Sequence, residues 1–209
     1  MKNKTIILIL IFCIFFHNKS QSKTLNNNIL VSIDNLIITE LDLNKEINFI
    51  KFIKNDEINL NAEVLKKEAI EILIDRKIKD IETLKIEVQE KELENNLYNY
   101  LTELKINNEN LNSFYIKNEI EKDYLKNIVR VDMKWSKLIK QLYESRININ
   151  MSEISKDIEK DKRETEDDNQ FKKTILINEK NKLLNKFSLT HLEKSKKKYL
   201  IKFLWEKVL

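Results

Sequence analysis

Residues 118–142 read NEIEKDYLKNIVRVDMKWSKLIKQL, and their apolar positions recur at helical spacing. Intervals of three and four residues place these side chains on one face of an α-helix. That seam consists of Ile120, Tyr124, Ile128, Val131, Trp135, Leu138 and Leu142. The pattern predicts the longest helix of the chain, almost 40 Å at about 1.5 Å per residue. We expect it to begin at a capping box of Asn118 and Glu121 and to bury Trp135.

The segments before this helix predict a hairpin followed by two more helices. Two short β-branched runs, 29–33 and 36–38, flank Asp34-Asn35, a pair that suits a tight turn. Thr39 can then cap a helix that runs to about Lys54. The next helix follows Asn61 and has apolar residues on both sides, which predicts an enclosed, central position.

The remaining segments are also mostly helical. A helix is expected over 88–104, with a weak start because Gln89 is a poor cap. Further elements are predicted at 111–115, after a break at Asn107-Asn108, and then as helices at 151–162, 175–186 and 189–197 and a strand within 199–205. The predicted fold class is therefore mainly α, with a small β-hairpin.

The chain contains no glycine and no proline. Phosphate-binding loops, dinucleotide-binding turns and the nucleophile elbow of hydrolases all need glycine, so these enzyme classes are excluded. Base composition, rather than function, is the favoured origin of the depletion, since Arg and Ala, which also have GC-rich codons, number only four and two. In either case we expect Asn to occupy the left-handed backbone positions that glycine normally takes.

Residues 1–22 have the pattern of a signal peptide. Lys2 and Lys4 precede an apolar run over 6–16, and Ser20 and Ser22 suit a cleavage site. This pattern predicts export to the periplasm without stable membrane insertion after cleavage. An uncleaved N-terminal anchor is the alternative. Cys13, the one cysteine, would leave with the signal.

Cleavage would also remove most of the positive charge. The signal contains three lysines and no acid, so the formal charge falls by three from +4 to +1. A nucleic-acid-binding protein needs a clustered basic face, and a nearly neutral chain argues against that class of partner. The rest of the chain is long enough to bury one ordinary core.

Catalytic and metal-binding motifs are missing from the predicted mature chain. His191 is its one histidine and is expected to be an ordinary boundary residue. No HExxH or CxxC motif is present, so no metal, no cofactor and no enzymatic activity are predicted. Acidic runs such as 164–168 are typical of solvated faces, with loose calcium binding as the alternative.

Several segments, in this order, resemble the N-terminal chaperone module of the SurA family of periplasmic folding factors. The hairpin 29–38 followed by TELD at 39–42 is similar to the family's opening strands and acidic helix start. AIEILIDRKIK at 69–79, YLKNIVRVDM at 124–133 and RININMSEI at 146–154 continue the likeness. YLIKFL at 199–204 looks like the family's C-terminal strand, which returns to complete the N-terminal sheet.

The chain departs from that family between Lys162 and Lys186. Members usually carry glycine-rich prolyl isomerase domains there, whereas this segment is short and lacks glycine and histidine. The resemblance therefore implies a holdase without isomerase activity, which shelters unfolded outer-membrane protein precursors in an apolar cleft. It implies a helical module over 23–162, a charged linker over 163–174, and helices with a strand over 175–209 that pack back on the module.

Large aromatic side chains are the candidates for contact with such clients, because a holdase needs exposed apolar surface. For each residue singly, core packing is the favoured interpretation, and we expect two or three of the set to line a groove. The candidate peptide-binding residues are Phe49, Phe52, Tyr98, Phe114, Tyr115 and Tyr124.

Two further alternatives remain open. The same module could be a structural or assembly component of the cell envelope that binds one fixed protein partner. Lys194, Lys196, Lys197 and Lys198 form a basic cluster, which is typical of a solvated helix end. The alternative for this cluster is attraction to anionic lipid or another polyanion.

Overall fold

The structure is a computed structural model that describes residues 28–54, 61–106, 111–149 and 168–204. Within these ranges the fold is mainly α, as predicted, with six helices and a three-stranded antiparallel sheet. The strands are β1 (Ile29–Ile33), β2 (Leu36–Thr39) and β3 (Ile201–Phe203). The helices are α1 (Glu40–Ile53), α2 (Ala62–Glu82), α3 (Glu90–Glu103), α4 (Leu111–Asn118), α5 (Lys122–Tyr143) and α6 (Asp168–Lys196).

The sheet joins the two ends of the described chain. Its order is β2-β1-β3, and Val31 of the central strand lies opposite Ile38 on one side and Phe203 on the other. At the hairpin turn, the Asp34 amide donates to the Leu200 carbonyl at 3.1 Å, and the Leu200 amide donates to Asp34 Oδ1 at 2.9 Å. The predicted return of the C-terminal strand to the N-terminal hairpin is therefore confirmed.

The predicted helix starts are confirmed for α1, α2 and α3. Thr39 and Asp42 form a capping box at α1, and Asn61 accepts a hydrogen bond from the Glu63 amide at α2. At α3, Gln89 makes no side-chain capping bond. That helix therefore begins with unsatisfied amide groups that a better cap would have bound.

The predicted start of α5 is wrong. The helix begins at Lys122 with Glu121 as its cap residue, because 111–118 form α4 and Glu119 adopts a left-handed φ of +52°. Its 22 residues span about 33 Å rather than 40 Å. The longest described helix is instead α6, with 29 residues.

The chain between 168 and 196 forms one helix where two helices and part of a linker were predicted. Ser188 lies at the expected break, but its hydroxyl accepts a hydrogen bond from Trp135 Nε1 at 2.8 Å. The polar residue thus faces α5, and no proline or glycine interrupts the helix. The predicted helix at 151–162, the break at 107–108 and linker residues 163–167 lie outside the described residues.

The left-handed positions are also occupied differently from the prediction. Among the described residues, Asp34, Lys105 and Glu119 have positive φ, and none of them is Asn. Lys105 and Glu119 close Schellman motifs, in which the amides of Ile106 and Ile120 donate to the carbonyls of Leu101 and Tyr115. In each motif the residue after the left-handed one packs into the core, which fixes the turn whatever side chain precedes it.

Two hydrophobic clusters fill the interior. What we call the sheet cluster is aliphatic apart from Trp135 and joins the strands to α1, α2, α5 and α6. Its buried members are Leu30, Val31, Ile33, Ile38, Leu43, Ile50, Leu65, Ala69, Ile70, Leu73, Ile74, Ile78, Trp135, Ile139, Leu184 and Leu192. The second, here the aromatic cluster, has Phe49, Leu93, Leu97, Leu101, Phe114, Ile120, Leu125, Ile128 and Val129 as its buried members.

The burial of Trp135 and the enclosed position of α2 were both predicted from the sequence, and both predictions are confirmed.

Candidate functional site

The six candidate peptide-binding residues lie in very different surroundings. Phe49 and Phe114 are buried in the aromatic cluster, and Phe52, Tyr115 and Tyr124 are half-buried against it. Their rings contact each other, as in the pair Phe52–Phe114 with centroids 4.7 Å apart. Tyr98 alone of the six is mostly exposed, at 57%. Five of the six residues therefore pack in or against the aromatic cluster, and a peptide-binding role for any of the six stays a prediction.

A groove of about 470 Å³ lies between α3 and α5, and none of the six residues lines it. We call it the α3–α5 groove. Its apolar and aromatic lining consists of Tyr100, Ile128, Val129 and Met133. Its polar lining consists of Glu92, Asn96, Asn99, Glu103, Asp132, Ser136, Lys137 and Lys140. The groove is thus more polar than the apolar cleft that the sequence predicted.

Ion pairs neutralise part of the charge around this groove. Lys137 Nζ of α5 lies 2.7 Å from Glu92 Oε2 of α3, and Lys79 Nζ of α2 lies 2.9 Å from Asp132 Oδ1. These exposed or half-exposed pairs contribute little stability each, since water screens them. They link α2 and α3 to α5 beside the groove.

Amide side chains face the groove from α3. Asn96 Nδ2 donates to the Glu92 carbonyl at 2.9 Å, and Asn96 is exposed at the groove. Asn99, which lies almost one turn further along, is exposed and lines the same groove. An amide group can both donate and accept, so this wall can pair with the backbone of an extended polypeptide.

Tyr100 completes the groove with a hydroxyl that stays neutral. Burial, and then the negative charge of Asp132, raises the pKa of Tyr100 to about 12. A neutral phenol both donates and accepts hydrogen bonds. The ring of Tyr100 rests on Phe49, with centroids 6.5 Å apart, so the groove is supported directly by the aromatic cluster.

Behind the aromatic cluster lies a buried ion pair. Glu46 of α1 is 1% exposed and accepts two hydrogen bonds from Arg76 of α2, at 2.5 Å from Nη1 and 3.2 Å from Nη2. The Tyr124 hydroxyl of α5 also donates to Glu46, and Arg76 Nη1 lies 3.1 Å from that hydroxyl. All three helices are therefore joined at one buried carboxylate.

The surroundings of the Glu46–Arg76 ion pair favour a charged Arg76 and a neutral Tyr124. Burial alone would lower the pKa of Arg76, but hydrogen bonds and attraction from Glu46 outweigh it and raise the pKa. Burial also raises the pKa of Tyr124, and Glu46 adds to that effect. Such a pair is costly to break, because removing one partner leaves an uncompensated buried charge.

His191 lies in a second polar contact, away from the groove lining. Its Nδ1 is 2.8 Å from the Tyr143 hydroxyl, and its ring centroid is 5.4 Å from that of Trp135. Burial lowers the pKa of His191, and Lys198 and Lys194 add to the effect, while Glu82 opposes it. The histidine is therefore a neutral packing residue between α5 and α6 at ordinary pH.

Sequence reasoning missed the groove residues because periodicity assigns them to a core. Ile128 is buried, and Met133 and Tyr100 are half-buried, as their positions on amphipathic helices predict. The periodicity of each helix carries no information about the gap that is left between α3 and α5. The exposed pair Asn96 and Asn99, three residues apart on one helix face, was the available signal.

No protein-family model matches the chain, and a search of curated proteins found no match. None of the helices within the described ranges has both the length and the apolar character that crossing a bilayer requires. In the same ranges, no group of three or more histidine, cysteine or acidic side chains is placed so that it could hold a metal ion.

Proposed function

We propose that this protein is a non-catalytic chaperone of the periplasm that holds unfolded or extended polypeptides in the α3–α5 groove. Precursors of outer-membrane proteins are the proposed clients. The observation that carries the proposal is the lining of the groove, in which apolar residues lie beside exposed amide groups. Two side-chain types in one groove suit a ligand that presents both apolar side chains and backbone amides.

An extended polypeptide has this dual character. Its apolar side chains can contact Tyr100, Ile128 and Met133, while its N–H and C=O groups can pair with Asn96 and Asn99. The volume falls within the range of about 300–1,000 Å³ that is usual for ligand pockets. Three of the five charged residues in the lining, Glu92, Asp132 and Lys137, are already engaged in ion pairs, so such a groove favours many sequences weakly over one sequence tightly.

The topology gives separate support. The resemblance to the SurA chaperone module implies a hairpin, a set of helices and a returning C-terminal strand, and these are the elements observed. The signal-peptide pattern of 1–22 supports the proposed location. The short segment between Lys162 and Lys186 supports a holdase that lacks prolyl isomerase activity.

The first test is suppression of aggregation. Residues 23–209 would be added to a urea-unfolded outer-membrane β-barrel protein on dilution into buffer, and light scattering would be followed. We expect suppression at a near-equimolar ratio. Unchanged scattering at several-fold excess would contradict the proposal. A prolyl-peptide assay on the same sample is expected to show no acceleration of isomerisation.

A matched pair of variants locates the binding surface. Met133→Lys places a charge in the apolar lining of the groove, and we expect the suppressing concentration to rise about tenfold, because that charge must be desolvated under a client. Leu189→Lys makes the same change on α6 at a residue that is 66% exposed and lies outside the groove lining. Equal activity of the two variants would argue against the groove.

The fixed-partner alternative has its own readout. A pull-down with the tagged protein from an envelope extract is expected to return many β-barrel precursors at low occupancy. A single protein at a one-to-one ratio would instead identify a structural component of the envelope. Loss of that partner in Met133→Lys would then assign the groove to it.

A further inference from the structure

One end of the molecule gathers the C-terminal ends of α2 and α6 and the hairpin turn. Glu82 near the end of α2 accepts hydrogen bonds from Lys198 Nζ at 2.8 Å and from the Tyr199 hydroxyl at 2.6 Å. The Leu200 amide donates to Asp34 of the turn at 2.9 Å. These contacts bring three segments that are distant in sequence to one surface.

Three leucines are exposed at this end. Leu84 follows Glu82 by two residues and is 72% exposed, the highest value among the leucines described as exposed. Leu200, at 59%, and Leu36, at 38%, lie beside the bonds that tie the C-terminal segment to the turn. Exposed large apolar residues gathered at one place mark an interaction surface.

Lysines lie on the segments that carry Leu84 and Leu200 and at the end of α6, and not all of them are paired. Lys196 is held by Asp75 at 2.6 Å and by Glu193, and Lys198 is held by Glu82. Lys85, Lys194 and Lys197 are exposed and form no salt bridge with any residue that the structure describes. Asp75, Glu82 and Glu193 are thus occupied by other lysines, and Lys85, Lys194 and Lys197 face solvent.

We propose that this end, formed by Leu36, Leu84, Lys85, Lys194, Lys197 and Leu200, docks the protein peripherally on an anionic lipid membrane. The unpaired lysines complement the negative surface potential of acidic lipids. The exposed leucines can enter the boundary between headgroups and acyl chains, as the apolar side of an interfacial segment does. A nucleic acid would use the lysines but would leave the leucines without a partner.

Vesicle binding tests the proposal with the predicted mature chain, residues 23–209, which contains every contact described above and lacks the apolar run at 6–16. Co-sedimentation would compare vesicles of phosphatidylglycerol and phosphatidylethanolamine with vesicles of phosphatidylcholine at low salt. We expect binding to the anionic vesicles only, and its loss in high salt. No binding to the anionic vesicles at low salt would overturn the proposal.

Two charge variants assign the binding to this end. K194Q/K197Q removes two unpaired lysines and is expected to weaken vesicle binding by roughly 30-fold, from the usual contribution of a lysine near an acidic surface. K51Q/K67Q removes two exposed lysines, from the last turn of α1 and the second turn of α2, and is expected to bind like the unmodified protein. Equal weakening in both variants would overturn the assignment.

A leucine variant separates membrane docking from simple attraction to polyanions. L84S/L200S keeps every lysine and is expected to weaken vesicle binding by tenfold or more while leaving heparin binding unchanged. Unchanged vesicle binding would overturn membrane docking and assign the surface to a polyanion. Thermal unfolding of each variant would show that the fold is retained, and aggregation suppression is expected to persist because the groove is untouched.

Discussion

The sheet cluster and the aromatic cluster divide the molecule into regions with different construction. The sheet cluster is mostly aliphatic and joins residues from both ends of the chain, such as Leu30 and Leu192. The aromatic cluster contains Phe49 and Phe114 and has tyrosines packed at its edge, next to the α3–α5 groove. The first region closes the topology, whereas the second supports a surface. Stability and ligand contact should therefore respond to different substitutions.

The two clusters meet at Glu46. On α1, Leu43 and Ile50 belong to the sheet cluster and Phe49 to the aromatic cluster, while Glu46 lies between them on the helix. The carboxylate and its partner Arg76 therefore mark the boundary between the regions. Substitutions of Glu46 or Arg76 are expected to affect the packing of both clusters.

Deletion of 199–209 is expected to have the largest effect and to fall on the sheet cluster. It removes β3 and the Leu204 amide that donates to the Leu30 carbonyl at 2.8 Å, and it uncovers the buried Val31. We expect the melting temperature to fall by more than about 10 °C, followed by circular dichroism. Deletion of 205–209 alone keeps β3 and should retain most of the stability. An unchanged transition in the longer deletion would contradict a stabilising role of β3.

Glu46→Ala tests the boundary and is expected to cost about 3–5 kcal/mol, because the buried Arg76 would lose its partner. Urea unfolding followed by Trp135 fluorescence would measure the free energy of unfolding. Glu94→Ala, an exposed glutamate on α3, is the control and should change it by less than about 0.5 kcal/mol. Tyr124→Phe removes one hydroxyl of the triad and should cost about 1 kcal/mol. A cost for Glu46→Ala no greater than for its control would show that the ion pair does not join the clusters.

The dependence of stability on alkaline pH allows a comparison of one tyrosine from each region, Tyr100 and Tyr199. Burial, and then Asp132, raises the pKa of Tyr100, and burial, with the hydrogen bond to Glu82, raises that of Tyr199, both to about 12 from 10.0. The folded protein therefore keeps protons that the unfolded chain loses between about pH 10 and 12. The stability that these two tyrosines contribute is fully present below about pH 10 and is lost as the pH rises through about 12.

The variants Tyr100→Phe and Tyr199→Phe should each flatten this loss, as measured by urea unfolding at several pH values. Absorbance at alkaline pH would follow the tyrosines directly. Client binding separates the two: a bound polypeptide is expected to change the titration of Tyr100 in the groove and to leave Tyr199 unaffected. The opposite pattern would place the client on the sheet region.

The smallest expected effect concerns the start of α3, which supports the groove. Gln89→Ser would supply the missing cap and, with Glu92 three residues later, the spacing of a capping box. We expect stabilisation by about 1 kcal/mol, with slower hydrogen exchange in the first turn of α3. Gln89→Ala offers no side-chain acceptor and should not stabilise. Equal exchange in both variants would show that this helix start is not weakened by its cap.

Local patterns predicted most of the fold. The hairpin turn at Asp34 and the caps at Thr39 and Asn61 follow from interactions between residues close in sequence, and the burial of Trp135 follows from its place on the apolar seam of α5. Predictions failed where a distant contact decided the outcome. Ser188 continues a helix because Trp135 binds its hydroxyl, and Glu119 takes a left-handed turn because Ile120 packs into the core.

The α3–α5 groove was not predicted, for a related reason. The sequence predicted aromatic residues as the peptide-binding set, but Phe49 and Phe114 face inward. The groove is lined by other residues, which include Asn99, Tyr100 and Met133. A groove is the space that two packed helices leave open, and periodicity describes one helix at a time. The signal in the sequence therefore marked the helices and not the gap between them.

By itself, the sequence determined the class of fold, the positions of most helices and the lack of glycine-dependent sites, because these depend on local propensity and composition. The tertiary structure decided the pairing of β3 with β1, the buried contact of Glu46 with Arg76, and the lining of the α3–α5 groove. Each of these joins residues that are far apart in sequence. The free energy that these contacts contribute to stability comes from burial and charge pairing, which exist only after the chain has folded.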